Sequence, residues 1–80
     1  MADNWKEWNE KAIENIQKGE FEKGLEHSLK ALESAEKSGE ASENLVVSLN
    51  NIGELYNMLG DLGQASHYLK RAVEAGESLY

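Results

Sequence analysis

Gly19-Glu20-Phe21-Glu22-Lys23-Gly24 and Gly60-Asp61-Leu62-Gly63-Gln64-Ala65 are one phrase written twice, 41 residues apart. At the same offset Trp8 falls on Leu49, Ala12 on Gly53, Lys30 on Arg71, Ala31 on Ala72 and Leu32 on Val73. Self-similarity at a period of this length marks a supersecondary unit that cannot bury its apolar face alone and must stack on its neighbour. The repeat therefore predicts one structural unit used twice, with stacking and partner binding as its natural outcome.

Working outward from the phrase, each glycine of the pair stops a helical pattern. Before Gly19, Trp5, Trp8, Ala12 and Ile16 recur three and four apart, which predicts a helix over about Asn4 to Gln17. After it, Phe21, Leu25, Ser28, Leu32 and Ala35 continue the period to about Ser38, where Ser38-Gly39 reads as a C-cap. A third helix is expected from an N-cap at Ser42, with Leu45, Leu49, Ile52, Tyr56 and Leu59 on one face. A fourth follows Gly60-Asp61 and carries Leu62, Ala65, Leu69, Ala72, Gly76 and Leu79. Proline is absent and no alternating strand pattern interrupts the helices. The expectation is an all-α fold of two antiparallel helical hairpins, repeat one over about 4–38 and repeat two over about 42–79, within one domain spanning 1–80.

Composition narrows the function. Eighty residues leave a thin core and disfavour a deep, enclosed active site. Cysteine is absent, which removes thiolate metal sites and thiol catalysis. A formal charge of −7, spread along the chain, argues against nucleic acid and anionic membranes as partners. The lysines of the first half read as alternating with glutamates. No basic and apolar leader opens the sequence and no run is long enough to span a membrane, so a cytoplasmic setting is expected. His27 and His67 lack companions at ligand spacing, and no nucleophile elbow or phosphate loop is present. The sequence thus predicts no enzyme, no cofactor, and no catalytic or metal residue.

The series Leu49, Ile52, Gly53, Tyr56, Gly60, Ala65, Leu69, Ala72 resembles the signature of the tetratricopeptide repeat, and Ser48-Leu49-Asn50-Asn51-Ile52-Gly53-Glu54-Leu55-Tyr56 is similar to the longer repeats of the kinesin light chain kind. Relative to the usual 34-residue unit the extra seven residues amount to about two turns and would fall around Gly39 to Leu45. The first repeat departs from the signature at Lys11, Asn15 and Ser28, where the family prefers apolar side chains.

The resemblance implies a short superhelix whose concave groove, lined by the first helix of each repeat, takes a peptide. The groove residues would be Asn9, Glu10 and Ile13 with Asn50, Asn51, Glu54 and Asn57. Amides there can both donate to and accept from a peptide backbone, and the acidic residues suit a basic or neutral ligand. The basic residues of the carboxylate-gripping members are missing, with Val47 and Asn9 in their places. Tyr68, Val73, Leu79 and Tyr80 would edge an uncovered last helix. A homo-oligomer, dimer or higher, is therefore expected, by end-to-end packing or by helix exchange through Ser38-Gly39-Glu40. Trp8 is expected to fill a core position with Trp5 covering the edge. A second reading makes the chain a homo-oligomeric building block, an engineered or truncated repeat piece with no outside ligand.

Overall fold

The computed structural model describes residues 4–37 and 42–79, which form four helices: α1 Trp5–Gln17, α2 Phe21–Glu36, α3 Glu43–Met58 and α4 Leu62–Glu77. No strand occurs among the described residues. The helices pack in chain order, α1 on α2, α2 on α3 and α3 on α4, into a slab of 33 × 33 × 15 Å. This is the all-α stack of two hairpins that the repeat predicts. The expected cap at Ser38-Gly39, and the first three residues of the segment assigned to the extra turns, lie outside the described residues; its remainder is the Ser42 cap and first turn of α3.

Local chemistry sets the helix boundaries. Asn4 accepts from the Lys6 amide at 2.8 Å, Ser42 from Leu45 at 3.2 Å and Asp61 from Gln64 at 3.2 Å, each satisfying an amide that lacks a partner in the first turn. Both hairpins turn through the same device. Gly19 donates to Ile16 O at 3.0 Å and Glu20 to Asn15 O at 2.8 Å; Gly60 donates to Asn57 O at 3.1 Å and Asp61 to Tyr56 O at 2.9 Å. That pair of bonds is the Schellman closure of a helix end, and it needs a left-handed residue. Gly19 at φ 78° and Gly60 at φ 87° supply it.

Within each hairpin the helices approach where side chains are smallest. Ala12, Gly24 and Ala31 are buried in the first, and Gly53, Ala65 and Ala72 in the second. A methyl group on Gly53 would sit 2.6 Å from Leu69 Cγ and Cδ2, while one on Gly24 would meet Ile16 Cγ1 at 3.2 Å. The second contact is tight and the first is forbidden. Between the hairpins, Leu32, Leu49, Ile52 and Ala72 form the core, with Leu25, Leu29, Leu45, Tyr56, Tyr68 and Ala75 packed around it.

Two placements depart from the amphipathic reading. Leu55, outside the predicted stripe, is 1% exposed because α3 is an interior helix, enclosed on more than one side. Leu62, inside the predicted stripe, is 65% exposed because among the described residues no helix packs on the far side of α4. Of the three polar departures in repeat one, Ser28 alone is buried without a hydrogen-bond partner for its hydroxyl.

Gly53→Ala is expected to lower unfolding free energy by about 1–3 kcal/mol through overpacking against Leu69. Urea denaturation will show a smaller loss for the same change in a Leu69→Ala background, since the two sites share one contact. Ser28→Ala should raise the urea midpoint, gaining about 1 kcal/mol by removing a buried, unpaired hydroxyl.

Candidate functional site

The residues expected to line a groove lie on α1 and α3, and two side-chain bonds tie those helices together. Trp5 Nε1 donates to Ser48 Oγ at 2.6 Å, and Asn51 Nδ2 donates to Asn9 Oδ1 at 3.2 Å. Ser48 is fully buried, so the indole satisfies a hydroxyl that would otherwise be orphaned. Trp5 is thus an inter-repeat tie rather than an edge cover. No local sequence pattern joins Trp5 and Ser48, which lie 43 apart in the chain.

Around the Asn9–Asn51 pair, Glu10, Asn50 and Glu54 are exposed and Ile13 is 41% exposed. Asn51 commits one amide hydrogen to Asn9 and is itself half-buried. Asn57 contributes elsewhere. It lines an open concavity of about 560 Å³ together with Leu62, Ala65, Ser66, Leu69, Lys70 and Val73, on the uncovered side of α4.

The residues expected at the self-association edge are likewise divided. Val73 is 62% exposed and borders that concavity. Leu79 lines a smaller apolar hollow of about 180 Å³ with Val46, Val47, Gly76 and Glu43. Tyr68 instead packs inward against the core and stacks on Tyr56, with ring centroids 5.6 Å apart, while Arg71 lies over it and bonds Glu36 of α2 at 2.9 Å. Partial burial, followed by the neighbouring Tyr68 and Asp61, raises the Tyr56 hydroxyl above the usual tyrosine range. Tyr80 lies outside the described residues.

A third surface was missed in the sequence. The face of α3 that meets α2 carries Leu45, Leu49, Ile52 and Tyr56, and its counterparts one repeat earlier are Asn4, Trp8, Lys11 and Asn15. On α4 the inward Tyr68 and Arg71 correspond to His27 and Lys30 on α2. Repeat one therefore presents polar and basic groups where repeat two is apolar, and among the described residues no other hairpin packs on this face. Lys11 and Asn15 are explained by that position. Trp8 is only half-buried there, unlike its counterpart Leu49 at 1% exposure, which corrects the expectation that it fills the core.

The groups on this end face are organised. His27 stacks on Trp8 at 5.7 Å, and its Nδ1 donates to Asn15 Oδ1 at 2.7 Å. The Asn15 amide in turn donates to Glu20 at 3.0 Å, at the start of α2. Lys11 and Lys30 bring their ammonium groups to 4.9 and 5.2 Å from the Trp8 ring. A hollow of about 340 Å³ opens beside them, lined by Lys11, Glu14, Asn15 and His27. The lysines that alternate with glutamates also recur by sevens, Lys11 on α1 with Lys18 at its C-cap, then Lys23 and Lys30 on α2 with Lys37 at its C-cap. Seven residues are nearly two turns, so each set forms a row. Lys18 is paired with Glu14 at 3.1 Å and Lys23 with Glu20 at 4.0 Å, both exposed.

A family model described as Tetratricopeptide repeat matches residues 8–78. The chain belongs to the tetratricopeptide repeat family, and the hairpin stack and its close-approach positions accord with that membership. Neither curated proteins nor solved structures yield a significant match. Among the described residues, no helix is long and apolar enough to cross a membrane.

Proposed function

We propose that this chain is a cytoplasmic scaffold without chemistry of its own, which binds an extended basic or neutral peptide across the α1 and α3 faces and self-associates through the uncovered side of α4. The observation that carries the groove is the Asn9–Asn51 bond. It sets two helices of different repeats side by side with Glu10, Ile13, Asn50 and Glu54 arrayed around it. Amides in that position serve a peptide backbone, and the carboxylates favour a cationic sequence. Two repeats make a short groove, so affinity per chain is weak and gains from assembly. The assembly half of the proposal rests on Leu62 and Val73, which leave a wide apolar concavity open to solvent. Leu79 and its hollow extend that surface.

The second reading, in which assembly is itself the purpose, is favoured by the same exposed leucine and valine. Helix exchange through Ser38-Gly39-Glu40 involves residues outside those described.

Titration with an acetylated Lys- and Ala-containing peptide, followed by calorimetry, tests the groove. Asn50→Ala and Asn51→Ala should each weaken binding about fivefold, the worth of one hydrogen bond of roughly 1 kcal/mol. Unchanged affinity in both variants removes the groove from the proposal. Sedimentation equilibrium tests the assembly: the wild-type chain should associate in the high micromolar range and Val73→Glu should be monomeric. A wild-type monomer throughout would refute it.

A further inference from the structure

The basic end face of repeat one is separate from both surfaces just discussed. Lys11, Lys18, Lys23, Lys30 and Lys37 are five of the eight cationic residues in a chain whose net charge is −7. By their seven-residue spacing they form two adjoining rows; Lys18 and Lys23 are each paired with a glutamate, which leaves Lys11, Lys30 and Lys37 without an ion pair among the described residues. The face also holds a half-buried aromatic ring bracketed by cations from both helices and stacked with a histidine, which a purely solvating surface does not require. We infer that this face is a second docking surface, distinct from the groove, for an acidic peptide segment of a partner protein, its carboxylates lying along the lysine rows and its body over Trp8 and His27.

Charge complementarity selects the chemistry, and the flanks select the size. The row from Lys23 to Lys37 extends about 21 Å at 1.5 Å per residue, enough for a short extended or helical segment. Immediately beside it on α2, Glu22, Glu26 and Glu33 form a parallel acidic row at helical spacing. On α1, Glu7 and Glu14 hold the corresponding position, seven residues apart. A nucleic-acid duplex carries one charge per roughly 1.7 Å of axis and would bring that density over the acidic rows as well. A flat anionic bilayer meets the same obstacle. A single narrow peptide fits between them. The ammonium groups of Lys11 and Lys30 are held near Trp8 by cation–π attraction, so part of the ordering cost is met before the ligand arrives.

The test uses the intact chain and an acetylated, amidated oligoglutamate of about 12 residues, longer when extended at roughly 3.3 Å per residue than the lysine row. Two-dimensional NMR should show saturable shifts at the Trp8 indole, Lys11, His27 and Lys30, with the Asn51 side-chain signal unmoved. Lys11→Gln/Lys30→Gln should weaken binding about tenfold while Lys6→Gln leaves it intact, and raising salt from about 50 to about 300 mM should weaken the wild type as screening shortens. Circular dichroism of the double variant checks that its helices persist; should it unfold, Lys23→Gln/Lys37→Gln, at exposed positions distant from Trp8, supplies the same reading. The inference is overturned if oligoglutamate produces no saturable shifts at millimolar concentration, if Lys→Gln variants bind as well as wild type, or if oligothymidylate or phosphatidylserine vesicles bind this face while the peptide does not. Failure of the groove peptide would leave these outcomes unaffected, since they are read at different residues.

Discussion

The contact of Gly53 with Leu69 governs this molecule. Helices in a hairpin approach closely where side chains are small, and a methyl group at this position would force Leu69 to shift, whereas its counterpart in the first hairpin, Ala12, holds its methyl fully buried. Gly24 plays the milder form of the same part in the first hairpin. The small residues set how near the two helices lie, and the Schellman turns at Gly19 and Gly60 bring the chain back at the correct rotation to use that closeness. Each hairpin then offers a broad side to the other, and Leu32, Leu49, Ile52 and Ala72 close the seam between them. The slab is 15 Å thin because it is built from contacts between surfaces rather than around an enclosed volume. Recognition in such a molecule belongs to its faces.

Most of the fold was legible because its determinants are local or repeated. The glycine turns, the caps at Asn4, Ser42 and Asp61, and the small residues at the close approaches all depend on residue type at a fixed spacing. The helix boundaries accordingly fall within a few residues of those expected. What escaped the reading depends on which neighbour each face meets. A one-face stripe on α3 misses Leu55, because periodicity registers amphipathic helices and α3 is covered on more than one side. Trp8 and Leu49 are equivalent in sequence position, yet among the described residues only Leu49 is covered by a second hairpin.

The candidate site was legible to a lesser degree for the same reason. Asn9 and Asn51 emerge as a pair, but the bond between them involves two residues 42 apart that no local pattern joins. Asn57 lies seven residues from Asn50 on the same side of α3, but next to the C-terminal end of the helix, where it borders the concavity on α4. Tyr68 is claimed by the core through Tyr56 and Arg71. The heptad spacing of the lysines was present in the sequence throughout; glutamates adjoining them in the chain concealed it, since neighbours in sequence lie about 100° apart on a helix and occupy different faces.

The ends of the slab are consequently unlike. One side of α4 leaves Leu62 and Val73 bare, while the opposite end of the molecule carries lysine around an indole ring. Both hairpins are nevertheless anionic, with eight acidic and six basic side chains among residues 4–37 and five and two among residues 42–79, so the lysines are a local feature and not a pole. Within the roughly 10 Å over which charge is felt in physiological salt, a neighbour at the first hairpin meets ammonium and carboxylate groups in alternating bands, whereas at α4 it meets bare aliphatic side chains.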